Sequence, residues 1–269
     1  MTASNQCTRR RLSCRANGRG AEVACDDCGL FGICLVAGLD EPDLDLLDRV
    51  IERRQVVARG DSLFRAEQPF EAVYAVKSGS FKTYVGAGAD EAQVVGFHLP
   101  GELLGLDALK HGRYSTTAEA LEAGSVCQLR FGDLERLGER FPQFQEQLIE
   151  AMSEQLLHGQ RLAVLSGKQT AEERLAAFLC NLSERLAGRG LSGVEFRLAM
   201  SRQDIADYLG LAVETVSRTF KRFQARGWLS VSGKHLCLRG LSELEALSGG
   251  RSRPDRRGVS PPTPETAGG

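Results

Sequence analysis

The chain has 269 residues, of which 42% are hydrophobic and 26% charged, as is ordinary for a globular protein with an apolar core. Its apolar stretches fall short of the roughly 20 residues that a membrane-crossing helix needs, and its basic N-terminus lacks the apolar segment of a signal peptide. We therefore expect a cytoplasmic protein with no membrane partner, whose eight cysteines are metal ligands or buried thiols rather than disulfides.

The net charge of −1 hides an uneven distribution. Residues 197–239 contain eight Lys or Arg against three acidic residues. Such a segment indicates either a polyanionic partner or a solvated basic face. Residues 1–20 and 248–269 lack apolar periodicity, and we expect them to form a disordered basic arm and a disordered tail.

Three cysteines lie close together near the N-terminus. Cys25, Cys28 and Cys34 have C-x2-C-x5-C spacing in the stretch CDDCGLFGIC. Close thiols in a reducing compartment indicate a soft metal with a fourth ligand, which is either structural zinc or an iron–sulfur cluster. Spacing alone leaves five candidates for that ligand: Cys7, Cys14, Cys127, Cys180 and Cys237. The last two lie in apolar helix and strand contexts, which are more typical of buried thiols.

A β-rich segment follows, and it then gives way to a long helix. Between about residues 55 and 131, runs of strand length at 72–76, 81–85 and 94–99 are separated by glycine turns, which predicts a small antiparallel barrel or jelly roll.

Residues 144–165 predict a helix with two apolar faces. One face is expected to cover the roll: Phe144, Leu148, Ala151, Leu162 and Leu165. The other has the 3,4 spacing of a heptad seam: Ile149, Met152, Leu156, Gly159 and Ala163. We interpret this seam as a dimer interface; the alternative is a helix buried on both sides within one chain.

Residues 201–220 have the pattern of a helix-turn-helix. Ser201 and Asp204 can cap a first helix, and Gly210 can end it with a positive φ. The second helix combines an apolar back with a polar front whose side chains suit base edges in the major groove. We assign DNA contacts to five residues: Glu214, Ser217, Arg218, Lys221 and Arg202. A plain amphipathic helix pair is the alternative.

The runs 229–231 and 235–238 flank the stretch Ser232-Gly233-Lys234. A turn of this composition between two apolar runs predicts a hairpin wing. The four histidines are scattered singly and the CxxC stretch has no βαβ context, so we do not expect an enzyme.

Three stretches resemble the fumarate and nitrate reduction regulators, the anaerobic FNR/ANR branch of the Crp/Fnr superfamily. They are GFHLPGELLG in the 95–105 region, AEERLAAFLCNLSERLAGRG (171–190) and YLGLAVETVSRTFKRFQ (208–224). The resemblance runs from about Cys25 to Leu247. It implies an α+β fold with a cluster loop and a cyclic-nucleotide-binding-like β-roll of the jelly-roll type (21–142), a dimerisation helix (143–168) and a winged helix-turn-helix (169–247).

The resemblance also implies a cofactor and a response. In that family three N-terminal cysteines and one roll cysteine bind a [4Fe-4S] cluster, and the stretch ALEAGSVCQL selects Cys127 here. Homodimers act with RNA polymerase at palindromic promoter sites of the TTGAT-N4-ATCAA type, read by residues that match Glu214, Ser217 and Arg218. Oxygen converts the cluster to a smaller form and the dimer dissociates. The alternative is a Crp-type regulator with structural zinc and a small-molecule effector in the roll.

The chain departs from its relatives at two places. Tyr114-Ser115 stands where nucleotide-binding relatives carry an Arg-Ser pair for the phosphate, and Arg113 is out of register, which disfavours cyclic nucleotide binding. Gly159 stands at a seam position where relatives carry an acidic residue, so the absence of like charges should favour dimerisation. Cys7 and Cys14 are interpreted as spare surface thiols.

Overall fold

Two four-stranded antiparallel sheets form the β-rich part of this computed structural model, which describes residues 28, 30, 34, 52–86, 92–168 and 170–249. The sheets have the strand orders β1-β8-β3-β6 and β2-β7-β4-β5. The strands are β1 (Glu52–Val57), β2 (Ser62–Phe64), β3 (Ala72–Ser78), β4 (Phe81–Val85), β5 (Gln93–His98), β6 (Leu103–Leu104), β7 (Thr117–Ala120) and β8 (Gly124–Arg130). The predicted roll is confirmed.

The two sheets enclose an apolar interior because alternate side chains of a strand point to the same face. A cluster of twelve buried residues fills it: Val57, Phe64, Ala72, Tyr74, Val76, Phe81, Leu104, Ala108, Tyr114, Ala118, Ala120 and Val126. Side chains thus occupy the inside of the roll.

Six helices lie in the described part of the chain, beside a short 3₁₀ helix at Leu106–Ala108. They are α1 (Phe131–Arg140), α2 (Pro142–Lys168), α3 (Ala171–Ala187), α4 (Arg202–Leu209), α5 (Val213–Ala225) and α6 (Leu241–Leu247). The predicted 144–165 helix is confirmed as α2, a 27-residue helix. None of these helices is long and apolar enough to cross a membrane.

A third sheet completes the C-terminal part. It contains β9 (Glu195–Arg197), β10 (Leu229–Ser232) and β11 (His235–Leu238) in the order β10-β11-β9. The predicted wing hairpin is β10–β11, and its two-residue turn uses a positive φ of 60° at Gly233.

One apolar cluster joins this part to the roll. It contains Leu179 of α3, Ile205 of α4 and Phe220 of α5, together with Val94 and Phe97 of β5. The helix-turn-helix therefore packs directly on the roll. Predictions for residues 1–20, for Cys25 and for the tail beyond Gly249 lie outside the described residues.

Candidate functional site

The predicted metal ligands come from two distant parts of the sequence. Cys127 lies in β8, where its backbone pairs with Arg53 of β1 and Ala75 of β3. Cys28 and Cys34 belong to the N-terminal segment, and all three cysteines are half-buried. Cys25, Cys7 and Cys14 lie outside the described residues.

Cys34 and Cys127 pack against the same apolar cluster. The buried members of this cluster are Val73, Ala75, Leu103, Leu106, Leu129, Leu137, Phe141 and Phe144. Leu148 and Ala151 of α2 pack against it as well. Two of the predicted ligands therefore contact the same apolar cluster, against which the first turns of α2 also pack.

The other two described cysteines have different surroundings. Cys180 is buried in α3, where burial and then Glu245 and Glu184 raise the pKa of its thiol to about 12. Cys237 lies in the wing strand β11, paired with Ser230 and Glu195. A thiol that keeps its proton is a poor metal ligand, so the interpretation of Cys180 as a buried thiol is confirmed.

Half-buried thiols beside an apolar cluster suit a soft metal group, since thiolates are its preferred ligands. Among the described residues, no three His, Cys, Asp or Glu side chains lie close enough to bind a metal ion. The predicted set includes Cys25, which is not among them, so Cys28, Cys34 and Cys127 remain predicted ligands.

Side chains fill the roll interior around Tyr114. The Tyr114 ring is 2% exposed and stacks on Phe64 with 4.0 Å between ring centroids. Its hydroxyl donates to the Ala72 carbonyl over 2.8 Å. These contacts make Tyr114 part of the core rather than a lining residue of an open pocket.

The residues beside Tyr114 are also engaged. The Asp107 carboxylate accepts from the backbone N–H of Ser115 (3.0 Å), its hydroxyl (2.5 Å) and the Thr116 hydroxyl (3.2 Å). The exposed carboxylate of Asp107 thus engages the N–H and hydroxyl donors that could otherwise bind a phosphate. Arg113 donates to the Glu67 carbonyl instead.

The long helix α2 has two different faces. Phe144 is fully buried, and Gln155 donates to the Leu103 carbonyl of the roll over 2.9 Å. The seam residues Ile149, Met152 and Leu156 are 63%, 45% and 64% exposed. Within the described residues, this part of the helix is therefore buried on one face and exposed on the other.

Gly159 continues the seam, and a Cβ atom built there would meet no other atom within 4 Å. Ala163 lies in α2, but its side chain is outside the described residues, as are those of Leu162 and Leu165. An apolar stripe of this size on a helix is typical of a surface that a second chain covers.

Local sequence explains the helix-turn-helix. Ser201 and Asp204 form a reciprocal capping box at the start of α4. The helix ends at Gly210, whose φ of 62° is the left-handed conformation that glycine accepts without strain. Both predicted signals are confirmed.

Helix α5 presents a polar front, as predicted. Val216, Phe220 and Phe223 are buried on its back. The front residues Glu214, Arg218 and Lys221 are exposed and Ser217 is partly exposed. An exposed helix face of this composition can enter a major groove and contact base edges.

Cations outside this front make other contacts. Arg222 and Arg226 form ion pairs with Glu172 of α3 at 2.7 and 2.9 Å. The Arg202 guanidinium lies 3.5 Å from the centroid of the Phe220 ring, and burial lowers its pKa. Arg202 is therefore partly engaged within the fold, unlike Arg218 and Lys221.

Comparison with known proteins identifies the family. Residues 54–141 match the cyclic nucleotide-binding domain and residues 173–247 match the Crp-like helix-turn-helix domain. The chain is 46% identical over 230 residues to the transcriptional activator protein Anr of Pseudomonas aeruginosa, covering 86% of this chain and 94% of that protein. The chain belongs to the FNR/ANR group of Crp/Fnr regulators.

Two further relatives agree with this assignment. The Escherichia coli fumarate and nitrate reduction regulatory protein is 40% identical over 240 residues, covering 89% of this chain and 96% of the relative. The structure of FixK2 from Bradyrhizobium japonicum has a TM-score of 0.66 and 31% identity, covering 74% of this chain and 98% of FixK2. This FNR/ANR protein is accordingly a transcription regulator of a family that binds DNA and forms dimers.

The sequence did not reveal a polar junction in this FNR/ANR protein between the roll and the C-terminal part. Glu102 lies just before β6, and its carboxylate accepts from Arg185 (2.5 and 2.9 Å) and Arg189 (2.6 Å) of the α3 region. Burial alone would raise the pKa of Glu102, but the two guanidiniums outweigh it and lower the pKa to about 2. In the sequence, these three residues stand out only because they lie in the two stretches GFHLPGELLG and AEERLAAFLCNLSERLAGRG that resemble the family.

Proposed function

We propose that this regulator is an oxygen sensor whose homodimer binds palindromic promoter sites of the TTGAT-N4-ATCAA type at low oxygen and activates or represses transcription with RNA polymerase. The sensing group would be a [4Fe-4S] cluster on Cys25, Cys28, Cys34 and Cys127. One observation carries the proposal: Cys34 and Cys127 pack on the same apolar cluster as the first turns of α2.

The ligand set has chemical support. A bound cubane cluster would supply a redox- and oxygen-sensitive group held by four thiolates. Cys127 is preferred among the described candidates for the fourth ligand because Cys180 is a buried thiol of raised pKa and Cys237 lies in the wing. The name of the Escherichia coli relative, a fumarate and nitrate reduction regulator, is consistent with anaerobic control.

The chain itself connects this site to the dimer helix. Cys34 and Cys127 pack against the cluster that contains Phe144, and Leu148 packs on that cluster one turn later. Loss of the metal bonds to the two cysteines would alter their packing on this surface. The pose of α2 and the exposed seam of Ile149, Met152 and Leu156 would change with it.

The seam matters because DNA recognition needs two copies. Recognition helices of such dimers contact half-sites about one helical turn apart. In each copy, Arg218 would contact guanine, Glu214 would accept from cytosine and Ser217 would contact a base or phosphate. Lys221 and Arg202 would contribute charge toward the phosphates.

The decisive experiment is anaerobic purification followed by visible spectroscopy and by iron, sulfide and zinc analysis. We expect a coloured protein with about four iron and four sulfide per chain. Cys127→Ala should lose both, whereas the matched control Cys180→Ala should keep them. A colourless protein that contains zinc would overturn the cluster assignment and favour the structural-zinc regulator.

A small-molecule effector in the roll finds less support. Tyr114 fills the interior, and Asp107 takes the donors of Ser115 and Thr116. Calorimetric titration with cyclic AMP should therefore show no binding. Saturable binding to the roll would favour the alternative.

A further inference from the structure

The first helix of the helix-turn-helix, α4, is attached to two other parts of the chain. Near its N-terminus, Lys82 of β4 forms an ion pair with Asp204 at 2.8 Å. Near its C-terminus, the Tyr208 hydroxyl lies 2.6 Å from Nε2 of His158 in α2. Neither contact is part of the DNA-facing surface.

Tyr208 is held firmly at this position. Its side chain is 5% exposed, and its ring packs against Phe97 of the roll and Phe178 of α3, with centroid distances of 5.0 and 5.7 Å. The His158 ring lies nearly parallel to it, 6.1 Å away. Burial also raises the pKa of Tyr208 to about 12, so the phenol remains neutral.

His158 occupies an informative position on the dimerisation helix. It follows Gln155 by three residues, which places both on the inward face of α2. It also immediately precedes Gly159 of the seam. The hydrogen bond to Tyr208 therefore depends on how α2 is rotated and placed when its seam meets a second copy.

A change in the position of α4 would also change the position of the recognition helix α5, because the two helices share an apolar core. Ile205 and Leu209 are buried in one apolar cluster with Val216 and Phe220 of α5. Packed cores of this kind do not deform continuously. A displacement of α4 therefore moves the front of α5 with it.

We propose that Tyr208 is a positioning residue that couples the dimerisation helix to DNA recognition through its hydrogen bond with His158. This inference rests on the proposed function, because it assumes a dimer that reads two half-sites. It adds a specific connection between the seam and the DNA-reading surface. By linkage, specific DNA should strengthen the dimer through the same contact.

The test is a double-mutant cycle in the full-length chain purified without oxygen. Tyr208→Phe, His158→Ala and the double variant are compared with the wild type. The dimer dissociation constant is measured with and without a TTGAT-N4-ATCAA duplex, and affinity is measured on that duplex and on a scrambled one. The matched control is Tyr114→Phe, which removes a buried hydroxyl in the roll interior, away from the contact between Tyr208 and His158.

Each single variant should weaken specific binding about fivefold, as expected for the loss of one hydrogen bond. The double variant should be no weaker than the singles, and dimerisation without DNA should stay within about twofold of the wild type. The strengthening of the dimer by DNA should fall by the same factor as specific affinity, while Tyr114→Phe should change neither.

Three results would overturn the coupling. Additive losses in the double variant would show that the two side chains act separately. An equal loss in Tyr114→Phe would indicate general destabilisation, and unchanged affinity in Tyr208→Phe would show that the bond has no role. Failure of the proposed function is distinct, because the wild type itself would then not prefer the palindromic duplex.

Discussion

The DNA-reading helices and the cysteine site are specified by the sequence in different ways. The helix-turn-helix is local: its cap residues, its turn glycine and its exposed front all lie within residues 201–221. The predicted cysteine site combines residues from the N-terminal segment and from a strand of the roll, and Cys34 and Cys127 both pack against one apolar cluster. A local pattern can be identified from residue types, whereas a site built from distant segments needs the fold.

The largest expected effect concerns the polar junction of Glu102 with Arg185 and Arg189, which joins the roll to the C-terminal part. Glu102→Gln leaves Arg185 and Arg189, both under 20% exposed, without their carboxylate. Removing one partner of a largely buried ion pair costs about 3 kcal/mol of unfolding free energy. Denaturant unfolding at pH 7 measures it, and Glu71→Gln at an exposed position is the control. Equal stability of the two variants would show that the junction does not hold the regions together.

The second prediction compares two arginines of the recognition helix. Arg218→Ala should lower affinity for a TTGAT-N4-ATCAA duplex by about 1–3 kcal/mol and reduce its preference over a scrambled duplex. Arg222→Ala should lower specific affinity by less than about 0.5 kcal/mol, because Arg222 is engaged in an ion pair with Glu172 of α3. Fluorescence anisotropy at one fixed salt concentration measures both. Similar losses for the two variants would contradict the assigned front.

Features marked by local sequence were predicted, whereas features that depend on distant segments were not. The strands β3, β4 and β5, the helix α2 and the wing hairpin were predicted because period and turn residues mark them locally. The strand β9, Glu195–Arg197, was not predicted, since three residues are too short to show alternation. The ion pair of Lys82 with Asp204 joins residues 122 positions apart, and no local pattern indicates it.

Residue types alone also left the fourth ligand and the occupant of the roll open. The family resemblance selected Cys127, and the fold adds its proximity to the cluster that Cys34 contacts. Tyr114 stands where the family pattern has the Arg of an Arg-Ser pair, and this departure already disfavoured cyclic nucleotide binding in the roll. Its burial against Phe64 and its bond to Ala72 follow only from the packing of two sheets.

The third prediction concerns Gly159 on the seam, where the protomer leaves space for a side chain. Gly159→Asp should place like charges across the dimer and weaken it by about 1 kcal/mol. Gly159→Asn has nearly the same shape without the charge and is the matched control. Sedimentation equilibrium without oxygen should show a loss only for the aspartate, and added salt should reduce that loss. Equal weakening by both variants would indicate a steric cause instead.

The last prediction is a dependence of stability on pH at His98, which interacts with Glu102 in the junction. Burial lowers the pKa of His98 to about 4 from its usual 6.5, Arg185 and His158 add to the effect, and Glu102 opposes it. The unfolded chain therefore binds more protons than the folded chain between these two pKa values. The unfolding free energy should fall as pH decreases from 6.5 towards 4.

The variant His98→Gln isolates this contribution, because glutamine can still hydrogen-bond the Thr83 hydroxyl, which lies 3.1 Å from Nε2 of His98, but does not titrate. Its unfolding free energy should depend less on pH between 4 and 6.5 than that of the wild type. Below pH 4.5, both proteins should lose stability as Glu102, with its pKa lowered to about 2, becomes protonated in the unfolded chain. Denaturant unfolding at half-unit pH steps measures both ranges. Identical slopes above pH 4.5 would mean that His98 titrates normally and that the junction is more open to water than its ion pairs indicate.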